Sequence, residues 1–207
     1  SGKNYPIFMR RPVEANGDTA QDEVMFDANK EAEGFEYFNL GALAHSPDHK
    51  LLAYAVDTKG SEQYEMRIRN LETGEEYSEV LENCNGSIAW AADSKKFYFV
   101  ENDKECRPRV VKCHELGTDP SEDTQVYYEQ DTGMFLSVDS TRSEKYIAIE
   151  RNDHQSNEVL VFENNGDKTP GLTSIRPFEE GVEYDVEHHG DPQGDLQRLR
   201  ADGPLLL

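Results

Sequence analysis

Basic residues are scarce in this chain. Against 42 Asp and Glu stand only 21 Lys and Arg, a formal charge of −21 over 207 residues. Nucleic acid and an anionic membrane surface would be repelled by that balance, so neither is expected as a partner. Cationic peptides or a basic protein face are favoured, and the bland alternative is that the charge serves solubility. Long apolar runs are missing: none approaches the ~18 residues a membrane helix needs. No signal-peptide pattern opens the chain. Cysteine is sparse, and Cys84, Cys106 and Cys113 lack the close pairing of a zinc or redox motif. Reduced thiols are expected, which points to the cytoplasm. An inert role is the default for each. Cys106, between Lys104 and Arg107, has cationic neighbours that would favour a thiolate, whereas nothing cationic lies beside Cys84.

Catalytic motifs are missing too. There is no Gly-x-Ser-x-Gly, so the nucleophile elbow of α/β-hydrolases is absent. His-Glu-x-x-His, a phosphate-binding loop and a dinucleotide fingerprint are also absent. His188-His189 beside Asp191 invites a metal reading, but adjacent residues on a strand point to opposite faces. A packed or hydrogen-bonded histidine is expected there instead. The acidic stretch Asp27–Gly34 lacks the central glycine and terminal glutamate of a calcium loop. It reads as a helix of a turn or two, with Asp27 as N-cap and Gly34 as stop. Trp90, the only tryptophan, is expected in the core rather than stacked on a ligand. No catalytic residue, cofactor or metal ligand is therefore assigned.

What is present is repetition. In "HSPDHKLLAYAVDTKG", His45–Gly60, a Ser-Pro-Asp turn precedes an apolar strand. "AADSKKFYFVEN" repeats that pattern with Asp93 45 residues after Asp48, and "SEKYIAIERN" follows with Asn152 50 residues after Asn102. Glycine turns at Gly74, Gly117 and Gly166 keep nearly the same period, 43 and 49 residues apart. Asn85-Gly86 reads as a further turn, although Asn85-Gly86-Ser87 also matches a glycosylation acceptor.

Four short strands fit each unit. The first unit predicts Asn39–His45, Leu51–Asp57, Tyr64–Leu71 and Glu76–Leu81. The second predicts Ser87–Ala91, Lys96–Glu101, Arg109–Leu116 and Thr124–Tyr128. The third predicts Phe135–Asp139, Tyr146–Arg151, Glu158–Glu163 and Thr173–Arg176, and Val182–His188 starts a fourth. Four strands per ~45 residues define an all-β fold, a β-propeller in which each unit is one blade. The small inner strands "GALA" and "SIAWAA" belong near its axis. The domain spans 1–191, with blades near 1–38 (partial), 39–81, 87–128, 135–176 and 182–191 (partial), and 192–207 is a tail. Three to four antiparallel blades are fewer than a ring usually holds, so the chain is expected to be a fragment or to self-associate through open edges.

Several stretches resemble the propeller of the oligopeptidase B (protease II) branch of the prolyl oligopeptidase family of serine peptidases. They are "YPIFMRRP", "EVMFDANKEAEGFEYFNLGALAHSPDHKLLAYAVDTKG", "NLETGE", "WAADSKKFYFV", "HELGTDPSEDTQVYYEQD" and "GVEYDVEHHGD". That resemblance implies a seven-bladed propeller gating a separate hydrolase domain, a cytosolic enzyme, and cleavage of short peptides after Arg or Lys. The hydrolase domain is not in this sequence, so no catalytic residue carries over and the chain alone is expected to be inactive. Residues 192–207 depart from the family pattern. The alternatives are a non-enzymatic protein-interaction propeller and a propeller with paired carboxylates near its axis that processes sugars.

Overall fold

Turn chemistry divides the chain, and it does so in threes. The Ser46 N–H donates to Leu51 O, and the same bond recurs from Ala91 to Lys96 and from Thr141 to Tyr146. Each of these turns holds one non-glycine residue in the left-handed region: His49 at φ 61°, Ser94 at 55° and Glu144 at 57°. A second set of turns closes on aspartates. Asp57 accepts from the N–H groups of Lys59, Gly60 and Glu62; Asp103 from Glu105 and Arg107; Asp153 from Gln155 and Ser156. The third set uses Gly74, Gly117 and Gly166 at φ 76–78°, a conformation glycine adopts without steric cost.

The structure, a computed structural model, describes residues 4–12 and 18–188, together with the backbone of 199–200. β1 (Ile7–Arg10) and β2 (Glu23–Asp27) form a hairpin, followed by the one-turn α1 (Ala28–Glu31) capped by the Asp27 carboxylate. β3 (Asn39–His45), β4 (Leu51–Asp57), β5 (Tyr64–Asn70), β6 (Leu81–Trp90), β7 (Lys96–Asn102), β8 (Pro108–Glu115) and β9 (Thr124–Tyr128) pair antiparallel in chain order as one seven-stranded sheet. β10 (Phe135–Ser140), β11 (Tyr146–Asn152), β12 (Asn157–Glu163) and β13 (Thr173–Ser174) make a separate four-stranded sheet. β14 (Asp185–Val186) pairs with β15 (Leu199–Arg200).

Four sequence expectations need correction. Glu76–Leu81 is not a continuous strand: Glu76 bridges Arg69, and regular pairing resumes only where Leu81 faces Met66. β6 therefore begins as the outer strand of the first blade and becomes the inner strand of the second. Between those roles lies a bulge at Cys84–Ile88, with Asn83 at φ 58° and Gly86 at φ 96°. Asn85-Gly86 thus marks a bulge inside a strand rather than a turn. Val182–His188 shrinks to Asp185–Val186, and Thr173–Arg176 to Thr173–Ser174.

Alternation along the strands builds the interior. Leu51, Ala53 and Ala55 of β4 pack with Met66 and Ile68 against Ile88, Trp90, Phe97 and Phe99 of the second blade. Leu52, Tyr54 and Val56 point the other way, onto Phe26, Ala28 and Phe38. The far side of the second blade meets Leu136, Val138, Ile147, Ile149 and Phe162 of the third. Trp90, expected in the core, is buried between the first and second blades with Phe97, Tyr54 is buried against the N-terminal segment, and Ile147 and Ile149 are wholly buried. The two outer faces are not bare. Phe26 and Phe38 cover one, and Tyr184 packs on Val159 and Val161 of the other. Space beside the innermost strand is tight: a Cβ on Gly41 of β3 would collide with the Tyr64 ring of β5. Among the described residues no helix is long and apolar enough to cross a membrane.

Candidate functional site

Polar side chains stitch each blade to the next. Trp90 Nε1 donates to Ala44 O at 2.9 Å, tying the second blade to the first. Asn164 of the third blade donates to Trp90 O and accepts from Ala92 N, while Asn85 donates to Leu136 O. Each of these bonds satisfies buried backbone where two blades meet, which fixes their relative register.

"HELGTDPSED" builds the most buried of the polar clusters. The fully buried His114 ring on β8 pairs through Nδ1 with Asp123 Oδ1 at 2.7 Å and stacks on Phe97. Its Nε2 lies 3.9 Å from Glu79 Oε1, and that same oxygen accepts from Gly117 N at 2.7 Å. Asp119 caps the short 3-10 turn Pro120–Glu122 that delivers Asp123. The motif is therefore a structural latch in which Glu79, from the first blade's outer edge, holds the second blade's glycine turn.

Two further networks are ionic. Glu129 is 3% exposed and accepts from Arg151 Nε at 2.6 Å, Tyr127 Oη at 2.9 Å and Asp131 N at 2.8 Å. Burial opposes its charge, but these three donors together hold its carboxyl below the usual range. Burial, with Glu129 adding to it, pushes the Tyr127 phenol up to about 12. Near the first blade, Arg69 grips Glu31 at 2.9 Å and Glu76 at 2.6 Å and lies 5.1 Å over the Tyr54 ring. Burial opposes ionisation of Glu76 as well, and the Tyr54 hydroxyl and Arg69 outweigh it. Beside this network opens a cavity of about 420 Å³, with Glu31, Glu65 and Glu76 facing Phe35 and Phe38.

One serine–histidine contact escaped the sequence reading. His188 Nδ1 lies 2.6 Å from Ser143 Oγ, 45 residues away along the chain. The geometry does not make a nucleophile of Ser143. His188 is 2% exposed and packs edge-to-face with Tyr146, and its Nε2 has no hydrogen-bond partner to orient a catalytic base. With Arg142 N on Glu187 at 2.8 Å, the pair fastens residues 187–188 to the third blade. His188 is thus the packed, hydrogen-bonded histidine expected. His189 and Asp191 lie outside the described residues. No cluster of three or more His, Cys, Asp or Glu suited to a metal occurs among the described residues.

The cysteines divide by depth. Cys84 and Cys113 are buried, and burial pushes both thiols upward, Cys113 to about 12. Cys106 is exposed, at φ 59°, and Arg107 beside it stacks over Phe135 at 5.4 Å.

Antiparallel four-stranded units, stacked face to face with their first strands innermost, define a β-propeller module. The chain belongs to the prolyl oligopeptidase family: residues 1–194 match its N-terminal beta-propeller domain. It is 34% identical, over 98% of its length, to dipeptidyl aminopeptidase BI of Pseudoxanthomonas mexicana. It is 28% identical, over 98% of its length, to protease 2 of Moraxella lacunata, and it spans 29% of each relative. Oligopeptidase B from Leishmania major superposes with a TM-score of 0.84 at 28% identity, covering 92% of this chain and 27% of that one. Oligopeptidase B from Trypanosoma brucei gives 0.79 at 30% identity, with coverage of 92% and 27%.

Proposed function

We propose that this chain is the substrate-gating module of an oligopeptidase B-like serine peptidase that cleaves short peptides after Arg or Lys. In this reading the chain is inactive without a hydrolase domain and works in the cytoplasm. The observation that carries it is the family match across the blades, over residues 1–194. The charge of −21 fits the substrate class, because an acidic surface concentrates cationic peptides and speeds their encounter. All three cysteines are free thiols, which fits a reducing compartment.

A second reading follows from the 34% identity to dipeptidyl aminopeptidase BI, under which the module serves a dipeptidyl aminopeptidase instead. Peptide binding tests the proposed substrate class. Fluorescence anisotropy should show an Arg/Lys-rich peptide binding this chain, more weakly as salt rises, while an acidic peptide of equal length does not bind. Equal binding of both peptides, or no salt dependence, would count against Arg/Lys specificity arising from this surface.

A further inference from the structure

The turn that joins β3 to β4 carries two exposed histidines, His45 and His49, and it differs there from its sister turns. At the position of His49 the other blades carry Ser94 and Glu144, all three residues sharing the left-handed conformation. At the position of His45 they carry Trp90 and Ser140. The blade fold therefore requires histidine at neither place.

The left-handed turn at His49 carries its side chain back over β3. The two rings lie 4.8 Å apart, and their Nδ1 atoms are 3.3 Å from each other. With Zn–N bonds of about 2.0–2.1 Å, two nitrogens of one tetrahedral zinc stand roughly 3.3–3.4 Å apart. His45 Nδ1 also lies 3.0 Å from Ser46 O. The backbone of the turn is set independently of the rings: His49 N donates to Ser46 O at 2.8 Å and Ser46 Oγ to Asp48 at 2.6 Å. Of the nearby charges, Asp48 favours a cation, while Arg10, whose guanidinium donates to His49 O at 2.6 Å, and Lys50 beside Asp48 oppose it.

We propose that His45 and His49 form a two-imidazole binding site for a divalent transition-metal ion, zinc(II) foremost, with water completing the tetrahedron. Neutral imidazole suits zinc, copper and nickel and discriminates against magnesium and calcium, which require oxygen ligands. This inference is independent of the peptidase reading.

Calorimetric titration of the full chain with zinc chloride, and separately with magnesium chloride, tests it. One zinc per chain is expected to bind without competition from magnesium. Losing a ligand should weaken zinc by at least the roughly 10–100-fold that follows loss of a ligand's hydrogen-bond partner. His45→Ala and His49→Ala should each do so, while His154→Ala, which removes an exposed histidine elsewhere, should change nothing. Cobalt(II) should give the intense visible absorption of a four-coordinate site in the wild type and not in either variant. Zinc binding that survives the double substitution, or that magnesium displaces, would assign the cation to surface carboxylates and overturn the proposal. So would no binding at all.

Discussion

Trp90 carries three loads at once. Its ring packs 5.3 Å from Phe97, its side chain is enclosed by the first blade's Leu51, Met66 and Ile68, and its indole N–H closes the bond to Ala44. Replacing it by alanine leaves a cavity and an unpaired carbonyl, so Trp90→Ala should cost about 3–5 kcal/mol. Urea unfolding measures that loss. The wild-type fluorescence should be blue-shifted, as for an indole 5% exposed, and a solvated emission maximum would refute this placement. Such residues were readable in the sequence because each is the large apolar member of an alternating strand. Ser143–His188 and the approach of Glu79 to His114 and Gly117 were not, since these polar partners lie far apart along the chain.

Among elements, those bounded by turn formers were legible. β3, β4 and β9 occupy the residues their flanking turns predict. The outer strand of the first blade was not, because its ladder breaks after Glu76 and resumes in β6. No local signal marks a strand shared by two blades. The same outer edges carry the carboxylates that set acid stability. Glu129 and Glu76 have depressed values in the folded chain, so their stabilisation is complete above the unfolded carboxylate value of about 4.3 and is lost as pH falls through the folded one. The urea midpoint should therefore vary little from neutral pH to about 5 and decline below about 4. Glu129→Gln should lower the plateau and make that decline shallower. An unchanged slope would mean that Glu129 does not carry the linkage.

At the scale of the whole molecule, a short stack of blades has ends. Flanking segments cover both end faces, yet the β1–β2 hairpin still presents Ile7, Met9 and Val24 outward, at 36%, 50% and 52% exposure. We expect the chain to self-associate through this hairpin and its unpaired strand edges. The charge of −21 opposes that contact, so association should strengthen as salt screens the repulsion. Met9→Lys should weaken it. Sedimentation velocity across a salt series checks this, and a monomer at every salt concentration would show that the blades are sufficient to themselves.

The central proposal is that these blades gate substrate and leave catalysis to a hydrolase domain. Turnover of a fluorogenic substrate with Arg at the cleavage site, measured on the repurified chain, tests it most directly. Only background hydrolysis is expected, unchanged by a serine-directed inhibitor. Hydrolysis that persists through repurification and is abolished by that inhibitor would place a working nucleophile in this chain and contradict the claim.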